Sequence, residues 1–177
     1  MVKSGKLQLY TGDGKGKTTA AVGLAVRAAG AGLRVFFGQF LKNGSSCEFR
    51  VLEGVAGVDC HLFGRGKYLR GKPSRQDVAM ARAGLAECAR AIASGDYGVV
   101  IMDEACGAVD AGVIKVRELM AAIRPDGKAS RQGLTEVVLT GRGAPPELLA
   151  VADLITDMRE ARHYYAAGVS ARKGIEF

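Results

Sequence analysis

The stretch 11-TGDGKGKTTAA-21 decides how this chain folds. Its Gly16-Lys17-Thr18 closes a phosphate-binding loop of the pattern G-x-x-x-x-G-K-[ST], but Thr11 stands where that pattern has its first glycine. Ahead of the loop, residues 7–10 form a short apolar run. Behind it, residues 20–29 read as a helix, and residues 33–40 are β-branched and aromatic enough for a second strand. A glycine-rich turn between strand and helix aims backbone N–H groups inward, and the helix start adds partial positive charge, so together they attract phosphate oxygens. Gly12, Gly14 and Gly16 permit close approach and positive φ. Lys15 and Lys17 add charge, and Thr18 offers a hydroxyl to a magnesium ion.

Working outward, residues 58–63 read as a strand, and residues 74–94 as a long helix with apolar positions 78, 81, 85, 88 and 92 at spacings of three and four. Ser74 followed by Asp77 resembles a capping box. Residues 97–102 form an unbroken apolar run ending in Asp103-Glu104, the pattern of a strand buried on both faces. The pattern then predicts a helix over 113–123 stopped by Arg124-Pro125-Asp126-Gly127, a strand over 136–140, a short helix over 146–151 and a last core strand over 154–158. Strands alternating with helices require crossovers that cover both sheet faces. The expectation is a single domain over residues 1–177, a three-layer α/β fold of the P-loop NTPase, RecA-like type with a mostly parallel central sheet. Ligands in such sheets bind beyond the carboxyl ends of the strands, where the loop at Thr11 must lie.

A net charge of +7 favours polyanionic partners, nucleotides among them. With aromatics at 6% and no row of basic and aromatic residues to stack bases, no nucleic-acid partner is expected. No apolar run approaches the roughly 18 residues that span a bilayer, and the first residues lead into a strand rather than a signal segment, so the expectation is a cytoplasmic protein without a membrane partner. Cys47, Cys60, Cys88 and Cys106 never form a C-x-x-C pair and read as small hydrophobes.

Asp103 and Glu104 supply the second half of a nucleotide site, since a carboxylate at a strand end near the phosphates binds Mg²⁺ directly or through water. A hydrolase would use Glu104 to orient water, whereas a transferase would need it only as a metal ligand, and the pair does not separate these cases. His61 and His163 lack recognisable partners for acid–base work and read as structural. Arg65, Lys67, Arg70, Lys72 and Arg75 surround Tyr68 in a loop-like stretch that is either a solvated face or a flap over the site.

Several segments taken together resemble the P-loop-type ATP-dependent corrinoid adenosyltransferases, the family that acts on cobalamin or cob(I)yrinic acid a,c-diamide. They are Tyr10 to Thr19, Gln39-Phe40-Leu41-Lys42 with Glu48, Gly64-Arg65-Gly66, the strand ending in Glu104, Leu139-Thr140-Gly141-Arg142, and the ending Ala171-Arg172-Lys173-Gly174-Ile175-Glu176-Phe177. The resemblance covers nearly the whole chain. It implies a loop that lacks the first Walker glycine and holds ATP reversed relative to P-loop hydrolases, so that a cobalt(I) corrinoid attacks C5′ of the ribose and triphosphate leaves. It places Gly12, Asp13, Gly14, Lys15, Gly16, Lys17, Thr18 and Thr19 on the phosphates, Lys17, Thr18 and Glu104 among the catalytic groups, Thr18, Glu104 and Asp103 on Mg²⁺, and Arg27 near the nucleotide. It also implies a homodimer, and an electron donor such as a flavoprotein to supply the reduced corrinoid.

Two positions depart from the family. Some relatives carry aromatic residues, Trp included, after the glycine matching Gly66, where they displace cobalt's lower ligand; this chain has Lys67-Tyr68-Leu69 and no Trp, which leaves Tyr68 for that task. The acidic pair is usually followed by a bulky aliphatic residue and then Asn or Thr, but here Ala105-Cys106-Gly107 follows. The rival readings are a P-loop ATPase or kinase, and a nucleotide-dependent corrinoid-binding protein without turnover.

Overall fold

The computed structural model describes residues 5–42, 46–66, 71–124 and 135–176. Tyr68, Lys67 and Arg70 of the basic stretch, the Pro125-Asp126-Gly127 helix stop and Phe177 lie outside the described residues.

Six strands form one sheet: β1 (Leu7–Thr11), β2 (Val35–Phe40), β3 (Val58–Phe63), β4 (Val99–Asp103), β5 (Glu136–Thr140) and β6 (Leu154–Asp157). They lie in the order β3-β2-β4-β5-β1-β6, and every neighbouring pair is parallel. All residues of β2 and β4 are buried, as an unbroken apolar run requires when both sheet faces are covered. Side chains alternate across the sheet, so successive residues of β4 serve different cores. Val100 and Met102 join Leu7, Leu9, Phe36 and Phe40 under the helices α3 (Arg75–Ser94) and α5 (Val116–Ile123). Val99 and Ile101 join Phe37 and Val138 under α1 (Lys17–Gly30) and α2 (Cys47–Leu52). The three layers follow from that alternation.

α3 starts where the sequence sets it: the Ser74 hydroxyl accepts from the Asp77 amide at 3.2 Å, and the Asp77 carboxylate accepts from the Ser74 amide at 3.0 Å. It ends at Gly95, whose φ of 73° is the left-handed cap that glycine adopts without strain. Within it, Gly84 lets the helix seat directly on the Phe63 ring; a Cβ there would stand 2.1 Å from the ring.

The elements differ from the sequence pattern in a few places. α2 and α4 (Ala105–Asp110) are six-residue helices, under two turns, too short to show a period. The helix predicted over 113–123 begins only at Val116, because the Val113 and Ile114 amides both donate to the Ala108 carbonyl and close α4. These two residues are apolar because they are buried in the core, not because they are helical. The short helix α6 (Pro146–Leu149) stops two residues early, and the strand expected in the core at 154–158 is instead β6, exposed throughout because it pairs with β1 alone at the sheet edge. The cysteines behave as hydrophobes: Cys88 and Cys106 are buried, Cys47 and Cys60 half-buried, and all are free. Burial pushes the Cys106 thiol up to about 12 and that of Cys60 up to about 11.

Candidate functional site

The site lies at the carboxyl ends of β1, β2, β4 and β5. Thr11 is still part of β1: it pairs with Asp157 of β6, and its carbonyl accepts from the Met158 amide at 2.9 Å. The strand therefore runs through the position where a Walker loop has glycine, and the turn begins one residue later at Gly12, with φ 94°. Gly12 and Gly14 are small for a packing reason, since a Cβ on either would come within 2.5 Å and 2.7 Å of the Met158 carbonyl oxygen. The Gly14 amide donates to that oxygen at 2.6 Å and so braces the loop from outside. Gly16, with φ 122°, caps α1, and the first-turn amides of Lys17, Thr18 and Thr19 face the loop without helical acceptors.

Lys17 is only 8% exposed and its ammonium donates to the carbonyls of Gly12 and Gly14 at 2.6 and 2.7 Å. Burial, reinforced by the nearby Arg142 charge, lowers its pKa below the usual lysine value. Arg142, just past β5, donates to the Asp13 carbonyl at 2.9 Å from the other side of the loop.

One strand, β5, separates the phosphate strand β1 from the acidic strand β4, and its last residue joins the two halves of the site. The Thr140 hydroxyl donates to Asp103 Oδ1 at 2.7 Å and accepts from the Glu104 amide at 2.9 Å. Thr18 Oγ1 donates to the same Asp103 oxygen at 2.8 Å. Gln39 Nε2, at 3.0 Å, and Lys42 Nζ, at 3.4 Å, take Asp103 Oδ2. Asp103 is thus fully buried and held by four donors, which makes it an anchor for Thr18 rather than an open ligand. Glu104 is different. Its backbone is left-handed, φ 60°, an unusual conformation for a residue with a side chain. Burial first, and the Asp103 charge second, raise its carboxyl above the usual glutamate range, while Lys42, Lys17 and Arg142 oppose this. The other left-handed side chain among the described residues, Leu41 at φ 63°, ends the neighbouring strand β2. Strained residues at the ends of two adjacent strands mark a site rather than a scaffold.

The small residues after the acidic pair have a reason in this geometry. A Cβ on Gly107 would meet the Glu104 carboxylate at 2.8 Å, and one on Gly141 would meet the Gly107 amide nitrogen at 2.6 Å. Ala105 and Cys106 are fully buried. The chain can pass between Glu104 and the β5 turn only if it is narrow.

Of the residues singled out in the sequence, Gly12 to Thr18, Asp103 and Glu104 converge. Arg27 does not: it is exposed in the last turn of α1, ~15 Å along the helix axis from Lys17 at 1.5 Å per residue. His61 stacks on Phe36 at 4.3 Å and faces Glu87, and His163 Nδ1 accepts from the Tyr165 amide, both structural arrangements. Arg65 of the basic stretch faces Asp77 at 3.7 Å. The contacts of Gln39, Lys42 and Thr140 with Asp103 escaped the sequence reading. The available signal was a polar residue near the carboxyl end of an otherwise apolar strand.

The ATP:corrinoid adenosyltransferase BtuR/CobO/CobP family matches residues 3–177. The chain is 34% identical over 175 residues to a corrinoid adenosyltransferase of Pseudomonas aeruginosa, covering 98% of this chain and 84% of the relative. It is 32% identical over 173 residues to the corrinoid adenosyltransferase CobA of Salmonella typhimurium, covering 98% and 86%. Among solved structures, the flagellar accessory protein FlaH of Methanocaldococcus jannaschii is similar in fold, with a TM-score of 0.53 at 14% identity over 87% of this chain and 71% of that one. With a braced phosphate loop, an anchored Asp103 and a sequence match from end to end, this chain belongs to the ATP:corrinoid adenosyltransferase family.

Proposed function

We propose that the protein transfers the 5′-deoxyadenosyl group of ATP to the cobalt(I) of a corrinoid, either cobalamin or cobyrinic acid a,c-diamide, and releases intact triphosphate. The observation that carries this reading is the junction of Thr18, Asp103 and Thr140, which ties a phosphate loop to an acidic strand in a chain of this family. The C5′–O bond breaks with its electron pair going to the triphosphate oxygen, and the cobalt lone pair forms the Co–C bond. The protein's part is to hold the leaving group and to align the carbon. The loop amides and the start of α1 take the phosphates, and Lys17 moves its charge from the loop carbonyls onto them.

Mg²⁺ fits the donor set. Thr18 and Glu104 offer oxygen ligands suited to a hard cation, and burial first and the Asp103 charge second, which raise the Glu104 pKa, favour added positive charge beside it. Thr18 and Glu104 would hold it, with Asp103 behind Thr18. When bound, the cation neutralises charge on the departing triphosphate. Arg27 has no part in this reading, and Tyr68 keeps its proposed role beside the corrinoid's lower face.

The enzyme works in the cytoplasm as a homodimer, and an electron donor such as a flavoprotein supplies the electrons that reduce its corrinoid to cobalt(I). Sedimentation at micromolar concentration checks the dimer. Incubation with ATP, Mg²⁺ and chemically reduced corrinoid tests the reaction: triphosphate together with an alkylcobalt spectrum is the expected outcome. ADP would instead identify an ATPase or kinase, and stoichiometric binding without product a carrier. Lys17→Ala should abolish transfer at millimolar ATP; near-normal turnover in that variant would contradict the role given to the loop.

A further inference from the structure

The first lysine of the phosphate loop, Lys15, is engaged by a segment about 160 residues away. Lys15 Nζ donates to the Ile175 carbonyl at 2.7 Å, to Glu176 Oε1 at 3.1 Å and to the Tyr164 hydroxyl oxygen at 3.3 Å. Glu176 is the centre of this cluster. Its Oε1 also accepts from the Tyr164 hydroxyl and from Arg172 Nη2 at 3.3 Å, and its Oε2 accepts from the Arg172 amide at 2.7 Å and from Nε at 3.4 Å. The Arg172 guanidinium lies 4.9 Å over the Tyr164 ring. One carboxylate therefore sits between two cations, a hydroxyl and a backbone amide, against a loop built for phosphate.

Such a donor set does not distinguish a carboxylate from a phosphate. The guanidinium fork matches either anion, and lysine serves either as a point charge. The two cations are exposed, Lys15 at 42% and Arg172 at 51%, while the Glu176 side chain between them is 15% exposed, so solvent and salt screen the pairs from the cation side and weaken them. A triphosphate brings several negative charges to the same loop. We infer that Lys15, Arg172 and Tyr164 form an anion subsite in which the protein's own Glu176 stands in for a phosphate group, and that the polyphosphate chain of ATP, or triphosphate after transfer, displaces it. Nucleotide binding then releases the C-terminal segment from the loop, and departure of triphosphate lets Glu176 return. The Tyr164 hydroxyl and the Arg172 guanidinium hold the Glu176 carboxyl well below the usual range, so it remains an anion through the working pH range. This rests on the reading that the loop binds the triphosphate of ATP.

Calorimetric titration of the full-length protein with inorganic tripolyphosphate and Mg²⁺ tests it. Glu176→Gln should bind roughly two- to fivefold more tightly than wild type, and Arg172→Gln weaker by a similar factor, as expected for one exposed ion pair gained or lost. In hydrogen exchange, the Arg172 amide should lose protection when tripolyphosphate binds. Unchanged affinities in both variants, or an Arg172 amide that gains protection, would overturn the proposal. Lys17→Ala separates the two levels. If it loses binding while the other variants match wild type, only the subsite fails; if it binds as well as wild type, the phosphate-loop reading fails and the subsite with it.

Discussion

Thr140 does two things with one hydroxyl, donating to Asp103 and accepting from the Glu104 amide. Thr140→Val keeps the shape and removes both bonds, leaving a buried carboxylate short of a donor and an amide without its acceptor. A loss of about 1–3 kcal/mol is expected by thermal unfolding, along with a weaker apparent Mg²⁺ requirement curve, and Thr140→Ser should restore both. Glu104 gives a pH-dependent prediction. Its native pKa is raised, so the folded state keeps this proton to higher pH than the unfolded chain, and stability falls as pH climbs from the ordinary glutamate range through the native pKa. Glu104→Gln, which has no charge to bury, should be inactive yet melt higher than wild type at pH 7. That difference should close as pH drops towards ~4. A variant that melts lower than wild type at pH 7 would contradict the burial argument. At this scale the loop and the acidic pair were legible, because a phosphate loop is contiguous and its glycines are confined by geometry. The contacts of Gln39, Thr140 and Glu176 were not, although all three stand in segments that carry the family resemblance, since each depends on a neighbour between 36 and 161 residues distant.

Strands and the long helix were readable for the same reason that they are stable. β4 carries a continuous apolar run because both faces are covered, and α3 shows three- and four-residue spacing over 20 residues with a cap at each end. The six-residue helices were invisible, and Val113-Ile114 looked helical because burial, not periodicity, dictates their type. Glycines expose the limit of composition as a guide. Gly84 of α3 faces the Phe63 ring at a separation that no Cβ tolerates, whereas Gly23 of α1 has nothing within 4 Å of where a Cβ would stand. Gly84→Ala should therefore destabilise by about 1–3 kcal/mol through overpacking. Gly23→Ala should stabilise by up to about 1 kcal/mol through helix propensity alone. Denaturant unfolding of the two variants checks the signs, and equal effects would remove the packing argument for α3.

Across the whole molecule, an all-parallel sheet, with β5 between the phosphate strand and the acidic strand, brings four strand ends to one edge, and the ligand bound there reports on the entire fold. The strand alternation made this architecture legible, but not the strand order, which depends on pairings between distant segments. Binding Mg·ATP at about a hundred times its dissociation constant should add about 2.7 kcal/mol, a rise of roughly 5–11 °C in melting temperature for a chain of this size. Lys17→Ala should show almost none of that rise, as differential scanning fluorimetry would register.

Met158 braces the loop from outside, its amide bonded to the Thr11 carbonyl and its carbonyl to the Gly14 amide. During translation, those partners leave the ribosome well over a hundred residues ahead of the brace. At 5–20 residues per second, the interval is roughly 7–30 seconds. Through that time a growing polypeptide carries its nucleotide loop unfinished, and competence to hold ATP begins only with the arrival of the sixth strand and the turn after it.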